Sequence, residues 1–274
     1  MTTGTASAAG PRGFHRSASL SRAVLFLAVC CPLWLGFTGA GPVAMLAVVL
    51  GITLLFLRWD GRPAAELGLD GSWRRVGELI AGVGGGALLI GLVALGTWIF
   101  LPFPWATNPR FEPAAAGWSL LWLLLSNSSE ELIFRGYSFE RLITAIGIWK
   151  AQLVTALLFA VFHIVNGWPW QVALVGTTAG SILFGFVFIR WKSVPAAIGV
   201  HVAGNWVRGL LLVDPPTSTT LFAPLAPRPW TAGEQMGAMA IFLGLVVLAS
   251  CGLWLSVRGD YRERPPPGSR APAR

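Results

Sequence analysis

Runs of about twenty apolar residues, repeated along almost the whole chain, constrain its fold more than any other feature. A helix needs roughly 20 such residues to cross a hydrocarbon core about 30 Å thick. Backbone amides in lipid have no water to bond, so each crossing segment must satisfy its own and is helical. About eight runs can be read, near residues 23–40, 42–58, 78–101, 117–139, 151–167, 171–189, 194–213 and 236–257. The expected fold class is all-α, a polytopic membrane helical bundle of about eight transmembrane helices.

Composition agrees. The chain is 54% hydrophobic and 12% charged, with mean hydropathy +0.65. A soluble domain carries about a quarter charged residues on its surface. The net charge of +8 does not mark a nucleic-acid binder, because the basic residues recur between apolar runs and form no patch. No nucleic acid is expected as a partner; the lipid bilayer is.

The basic residues also fix a direction. Alternate connections hold Arg12, Arg16 and Arg22; Arg58, Arg62, Arg74 and Arg75; Arg135, Arg141 and Lys150; Arg190 and Lys192; and Arg258, Arg262, Arg264, Arg270 and Arg274. The other side has Arg110 and Arg228, while Arg208 lies within a run. Cytoplasmic loops are enriched in Lys and Arg. A multi-pass protein with both termini cytoplasmic is therefore expected, in a bacterial plasma membrane. Residues 1–22 read as a disordered basic tail, although their composition also suits a transit peptide. Residues 258–274, ending in a Pro-rich stretch, read as a second disordered tail. The membrane domain is 23–257.

Two minor features carry no chemistry. Cys30, Cys31 and Cys251 fall in apolar runs without a C-x-x-C spacing and read as inert thiols. Gly82, Gly84, Gly85 and Gly86 include a Gly82-x-x-x-Gly86 spacing, which lets helices approach closely.

Three runs contain groups that do not belong in lipid. An ionisable residue at the centre of a membrane helix costs about 2.5–3.5 kcal/mol on insertion scales. The fourth run contains Asn127-Ser128-Ser129-Glu130-Glu131 followed by Arg135. The fifth contains Phe159 and His163; the seventh contains His201, Asn205 and Arg208. Glu131 and Arg135 are spaced for an ion pair with the acid N-terminal. Asn127, Glu130 and Glu131 share a helix face, as do His201, Asn205 and Arg208. Three helices can thus aim carboxylates, imidazoles and an amide into one interior cavity.

A rival reading takes Ser128-x-x-Glu131 as a capping box that starts a new helix near Ser129 and puts the acids at the cytoplasmic surface. Asn127-Ser128-Ser129 also matches a glycosylation acceptor, but its place in or near a span argues against use.

These residues resemble the CPBP family, the CAAX prenyl protease and bacteriocin-processing (ABI) intramembrane glutamic endopeptidases. The family's motifs E-E-x-x-x-R, F-x-x-x-H and H-x-x-x-N/D stand in order as Glu130-Glu131…Arg135, Phe159…His163 and His201…Asn205. The likeness covers about residues 117–210. It implies peptide hydrolysis by a water that Glu130 activates as general base. Carboxylates withdrawn from water become effective bases near neutral pH. His163 would position the water, His201 and Asn205 would donate to the oxyanion, and Glu131 would be held by Arg135. No metal or cofactor is expected. Zinc is the nearest rival chemistry, since two His and a Glu suffice as ligands, but no H-E-x-x-H spacing is present.

The same family includes immunity and abortive-infection proteins, so a role by binding is the alternative. A transporter is a weaker third reading, since no repeated halves are visible. The implied partner is a peptide or protein substrate, lipidated if the CAAX protease branch applies. The charge asymmetry makes a direct prediction: reporter fusions should place both ends of the chain in the cytoplasm. A C-terminal reporter active outside would mean that one span has been miscounted.

Overall fold

Helices form where the apolar runs demand them. The structure, a computed structural model, describes residues 11–36, 39, 41–213, 216–225 and 228–263. Its long helices are α1 (Pro11–Gly36), α2 (Gly41–Trp59), α3 (Trp73–Phe100) and α4 (Pro113–Phe134). A short helix, α5 (Tyr137–Ile146), precedes α6 (Ile148–Val165). Next, α7 (Trp170–Val172) runs through a π-helical turn at Ala173–Thr177 into α8 (Thr178–Trp191). The chain then forms α9 (Val194–Leu211) and α10 (Ala232–Glu263). The chain is an all-α membrane bundle. One small sheet appears among the described residues, β1 (Trp105–Thr107) antiparallel to β2 (Phe222–Pro224), which joins the loops at the end opposite the basic connections.

Among the described residues, six segments are long and apolar enough to cross a membrane: α1, α2, α3, α6, the continuous stretch from α7 through α8, and α10. The two helices of similar length that fall short are α4 and α9. Both carry the polar motifs, and those residues lower the mean hydropathy. The count of about eight spans is therefore approximate.

The fourth run departs from expectation. It does not cross as one piece from 117 to 139, because α4 ends at Phe134 and α5 starts at Tyr137. Arg135 leaves the helical backbone at φ −123°, ψ −5°. A Cβ at Gly136 would strike the Leu132 carbonyl, so glycine suits the turn sterically. The capping-box reading is overturned. The Ser128 hydroxyl donates to the Leu124 carbonyl at 2.5 Å, and Ser129 donates to Leu125 at 3.2 Å. Both serines are thus interior to one continuous helix, and the acids beyond them are buried rather than at the surface.

Helix also reaches into both segments expected as tails. α1 begins at Pro11, and no Pro or Gly interrupts it between Gly13 and Pro32. α10 continues to Glu263, just before the prolines at 265–267 that cannot extend a helix. Residues 1–10 and 264–274 lie outside the described residues.

Two sets of contacts hold the motif-bearing helices in place. The first is the pairing of α3 with α9. A Cβ on Gly82 would meet the Ala196 carbonyl, and one on Gly86 would meet Val200. A Cβ on Gly199 would in turn meet the backbone of Leu79 and Val83. Gly84 and Gly85 face open space. The Gly82-x-x-x-Gly86 spacing thus brings α9 close along its whole middle section.

The second is a polar clamp at the basic end. Asp60 pairs with Arg22 and Arg141 and accepts a hydrogen bond from the Tyr137 hydroxyl at 2.7 Å. Arg62 pairs with Glu66 and Glu140. Together these tie α1, the α2–α3 connection and α5 into one unit.

Because backbone leaves no room at the glycine crossing, Gly82→Ala and Gly86→Ala should each destabilise the protein by about 1–3 kcal/mol, the usual cost of overpacking. Gly84→Ala should be neutral. Thermal unfolding in detergent measures all three; equal midpoints would mean that the α3–α9 contact is loose.

Candidate active site

The polar residues of α4, α6 and α9 meet around a single buried hydrogen bond. His201 Nδ1 lies 2.8 Å from Oε1 of Glu131. An ionised carboxylate can only accept, so Nδ1 carries the proton and donates. Glu131 is completely buried, and its Oε1 is also 3.5 Å from Nη1 of Arg135. The expected Glu131–Arg135 pair is present, but it is one side of a three-residue group.

Arg135 is 1% exposed. Its guanidinium lies 4.6 Å from the ring centre of Phe159, 5.3 Å from Phe184 and 5.9 Å from Phe134. Aromatic faces attract a desolvated cation by up to about 2 kcal/mol. The aromatic enclosure and Glu131 together hold this charge inside the bundle.

Glu130 has a different setting. Its carboxylate accepts no hydrogen bond among the described residues, and its Oε2 is 3.9 Å from Nε2 of His201. It is 8% exposed. Two adjacent carboxylates thus flank opposite nitrogens of one imidazole. Glu131 fixes the ring, and Glu130 stands beside the nitrogen that remains.

The His201 ring stacks on Phe184, centroids 4.4 Å apart with a 23° interplanar angle. His163 is oriented by its own helix: Nδ1 is 2.9 Å from the Phe159 carbonyl, to which it must donate. In the neutral ring Nε2 is then the acceptor. Trp168 packs edge-on against the same ring at 5.0 Å. Phe159 therefore serves its motif twice. Its carbonyl anchors His163, and its ring covers Arg135 and contacts His201 at 5.9 Å.

A cavity of about 300 Å³ adjoins this group. His163, His201 and Asn205 line it, together with apolar side chains of α3, α8 and α10. Glu130 is beside His201 but not in the cavity wall. Arg208, one turn beyond Asn205, is in that wall.

Of the residues expected from the sequence, Glu130, Glu131, Arg135 and His201 are thus brought into direct proximity. His163 and Asn205 join them across the cavity. Among the described residues, no three His, Cys, Asp or Glu side chains converge as a metal-ligand set. Phe184, Trp168 and the Glu131–His201 bond were not anticipated. Nothing distinguishes Phe184 from the other phenylalanines in the sequence, since its role comes from lying opposite α9.

Removing either partner of a buried pair leaves a charge uncompensated and costs about 3–5 kcal/mol. Arg135→Gln should therefore sharply reduce folded protein. Glu131→Gln should do so too, because the amide oxygen can still accept from His201 but the buried Arg135 cation loses its carboxylate partner. Size-exclusion yield and unfolding midpoint of the two variants provide the measurement. Wild-type accumulation of Arg135→Gln would show that the pair is solvated.

Three comparisons bear on this arrangement. Residues 112–207 match the family model of the type II CAAX prenyl endopeptidase Rce1-like proteins. No curated protein matches the chain, and no solved structure does. The matched stretch begins one residue before α4 and ends within α9, and it contains Glu130, Glu131, Arg135, Phe159, His163, His201 and Asn205. Residues 112–207 of this integral membrane protein are thus similar to the Rce1-like type II CAAX prenyl endopeptidases, a likeness that supports the CPBP family of membrane peptidases.

Proposed function

We propose that the chain is an intramembrane endopeptidase in which Glu130 activates the attacking water. The carrying observation is the division of labour around His201: Nδ1 is bound by Glu131, and Nε2 lies 3.9 Å from Glu130. A carboxylate without a hydrogen-bond partner beside an oriented imidazole suits a general base.

Water, positioned with the help of the His163 Nε2 acceptor, gives a proton to Glu130 as its oxygen bonds to the peptide carbonyl carbon. The carbonyl electron pair moves to oxygen. Asn205 donates to that oxyanion through its amide, and His201 does so through Nε2 when that nitrogen carries a proton. As the intermediate collapses the C–N bond breaks, and the proton held by Glu130 passes to the leaving nitrogen. One peptide becomes a carboxylic acid and an amine. Glu131 and Arg135 are positioning residues that act through His201. The apolar cavity walls suit a substrate segment of apolar residues, presented within the bilayer.

Glu130→Ala should nearly abolish cleavage while the protein remains folded. His163→Ala and His201→Ala should be almost as damaging, and combining either with Glu130→Ala should cost little more, because members of one catalytic unit are strongly non-additive. Asn205→Ala should lose about 10²–10³-fold in rate, the cost of one oxyanion donor. Glu130→Asp tests position, since it keeps the carboxylate but withdraws it. Survival of the biological phenotype in a well-accumulated Glu130→Ala variant would favour a binding role and sink the protease reading.

Chelation provides an independent check on the chemistry. Activity of the purified protein should survive strong chelators. Loss on chelation with recovery on adding zinc would replace this mechanism with a metal-dependent one.

A further inference from the structure

A second cleft opens on the bilayer, and none of Glu130, His163, His201 and Asn205 lines it. It arises from the way α10 crosses the bundle. At the end away from the basic connections α10 lies against α3: a Cβ on Gly96 would meet Ile241, and one on Gly237 would meet Phe100. At the basic end α10 leans instead on α6 and α8, where Trp254 packs on Trp149 at 4.8 Å and on Phe186 at 5.8 Å. The two helices therefore diverge, and a cleft of about 220 Å³ is left between them. Ala196 and Val200 of α9 form its floor, and Ala81 and Gly85 at its edge are exposed.

Length and polarity point to one kind of occupant. The α3 wall runs from Glu78 to Leu89, about 16 Å at 1.5 Å per residue. That is about half of a hydrocarbon core about 30 Å thick, the reach of one acyl chain in one leaflet. The lining is apolar except at the basic end, where Glu78 and Trp191 stand. Arg74 Nε is 3.0 Å from one oxygen of Glu78, and Arg75 takes the other at 2.9 Å. Arg75 also pairs with Asp70, so two acids balance these two cations, and the Arg74 side chain remains 75% exposed. On the α8 side of the mouth, the Arg190 guanidinium lies 5.8 Å from the ring centre of Trp191. Arg190 is exposed and forms no ion pair with a described residue, so the mouth carries an excess positive charge. Basic pockets between membrane helices attract anionic headgroups, and guanidiniums bind phosphate oxygens through paired N–H donors.

We infer that this cleft binds an anionic phospholipid from the leaflet on the side of the basic connections. One acyl chain lies between α3 and α10, and the phosphate meets Arg190 and Arg74. The lipid completes the packing that α10 leaves open beside Gly85, and it takes no part in the chemistry at Glu130. Leu89, Leu183 and Val200 line both this cleft and the catalytic cavity, and they separate the two.

The test uses the full-length protein, stripped of lipid in detergent, with phosphatidylglycerol and phosphatidylcholine of the same acyl chains. Native mass spectrometry should show one tightly retained phosphatidylglycerol. Its preference over phosphatidylcholine should be about fivefold, the worth of one basic residue near a membrane surface. Arg190→Gln, a change at an exposed position, should bring that ratio close to one. A Cβ on Gly85 meets nothing, so Gly85→Leu should fill the cleft and abolish the retained lipid. Gly84→Leu, at a neighbouring open position outside the cleft, should retain it as the wild type does. Equal retention of the two lipids by wild type would overturn the assignment, as would undiminished retention in folded Gly85→Leu. Competition by glycerol phosphate would reduce the cleft to a bare phosphate site and refute the role of the chain. Displacement by a farnesylated peptide would assign the cleft to substrate and refute the phospholipid. If Gly85→Leu misfolds, Arg190→Gln decides alone, and an unchanged ratio there rejects the site.

Discussion

The hydrogen bond from His201 Nδ1 to Glu131 is the interaction on which the rest of this bundle depends. A carboxylate, a guanidinium and an imidazole in an apolar interior each carry a desolvation cost. It is offset here by the Glu131–His201 hydrogen bond and the 3.5 Å approach of Arg135 to Glu131, while the guanidinium nitrogens have no hydrogen-bond partner among the described residues. Glu131 and Arg135 come from one stretch of chain, and His201 comes from another 70 residues away. Satisfying the group therefore requires α4 and α9 to be in register. The aromatic faces of Phe134, Phe159 and Phe184 complete the enclosure of the cation.

Around that centre, steric and polar devices divide the work. Glycines 82, 86 and 199 let α3 lie directly on α9, which fixes the helix carrying both His201 and Asn205. Gly136 allows the sharp turn after Arg135, so that α5 can return to the Asp60 clamp. Packing in lipid lacks a hydrophobic driving force between helices, so close backbone approach and interior polar bonds carry the association. This bundle uses both around the same few residues.

The two adjacent glutamates show how environment separates identical side chains. Glu131 is bound by an imidazole and a guanidinium, while Glu130 accepts no hydrogen bond among the described residues. Sequence spacing places both on one helix face but assigns them no distinct tasks; the motif resemblance supplies the expectation, and the geometry gives a physical basis for it. The cavity adds a second separation. Its wall contains His163, His201 and Asn205, with Arg208 further along α9 and apolar surface between.

The sequence by itself determined the helical membrane architecture, because a hydrocarbon core dictates the length and composition of a crossing segment. It also singled out the interior polar residues, since each is costly in lipid, and it anticipated the Glu131–Arg135 pair and the glycine crossing, both of which depend on local helical periodicity. It misplaced the end of the fourth run, because apolar residues resume at Tyr137 and Phe139 just beyond Arg135, while the steric limit at Gly136 involves backbone atoms that composition does not register. It allowed a capping box at Ser128, because the same serine can cap a helix or bond back to Leu124, and only the surrounding helix decides which. The partner of His201, the ring beneath it and the cavity beside it were decided by tertiary structure alone, because each joins residues from separate helices. Periodicity reports which face of a helix a residue occupies, and it is silent on what that face meets.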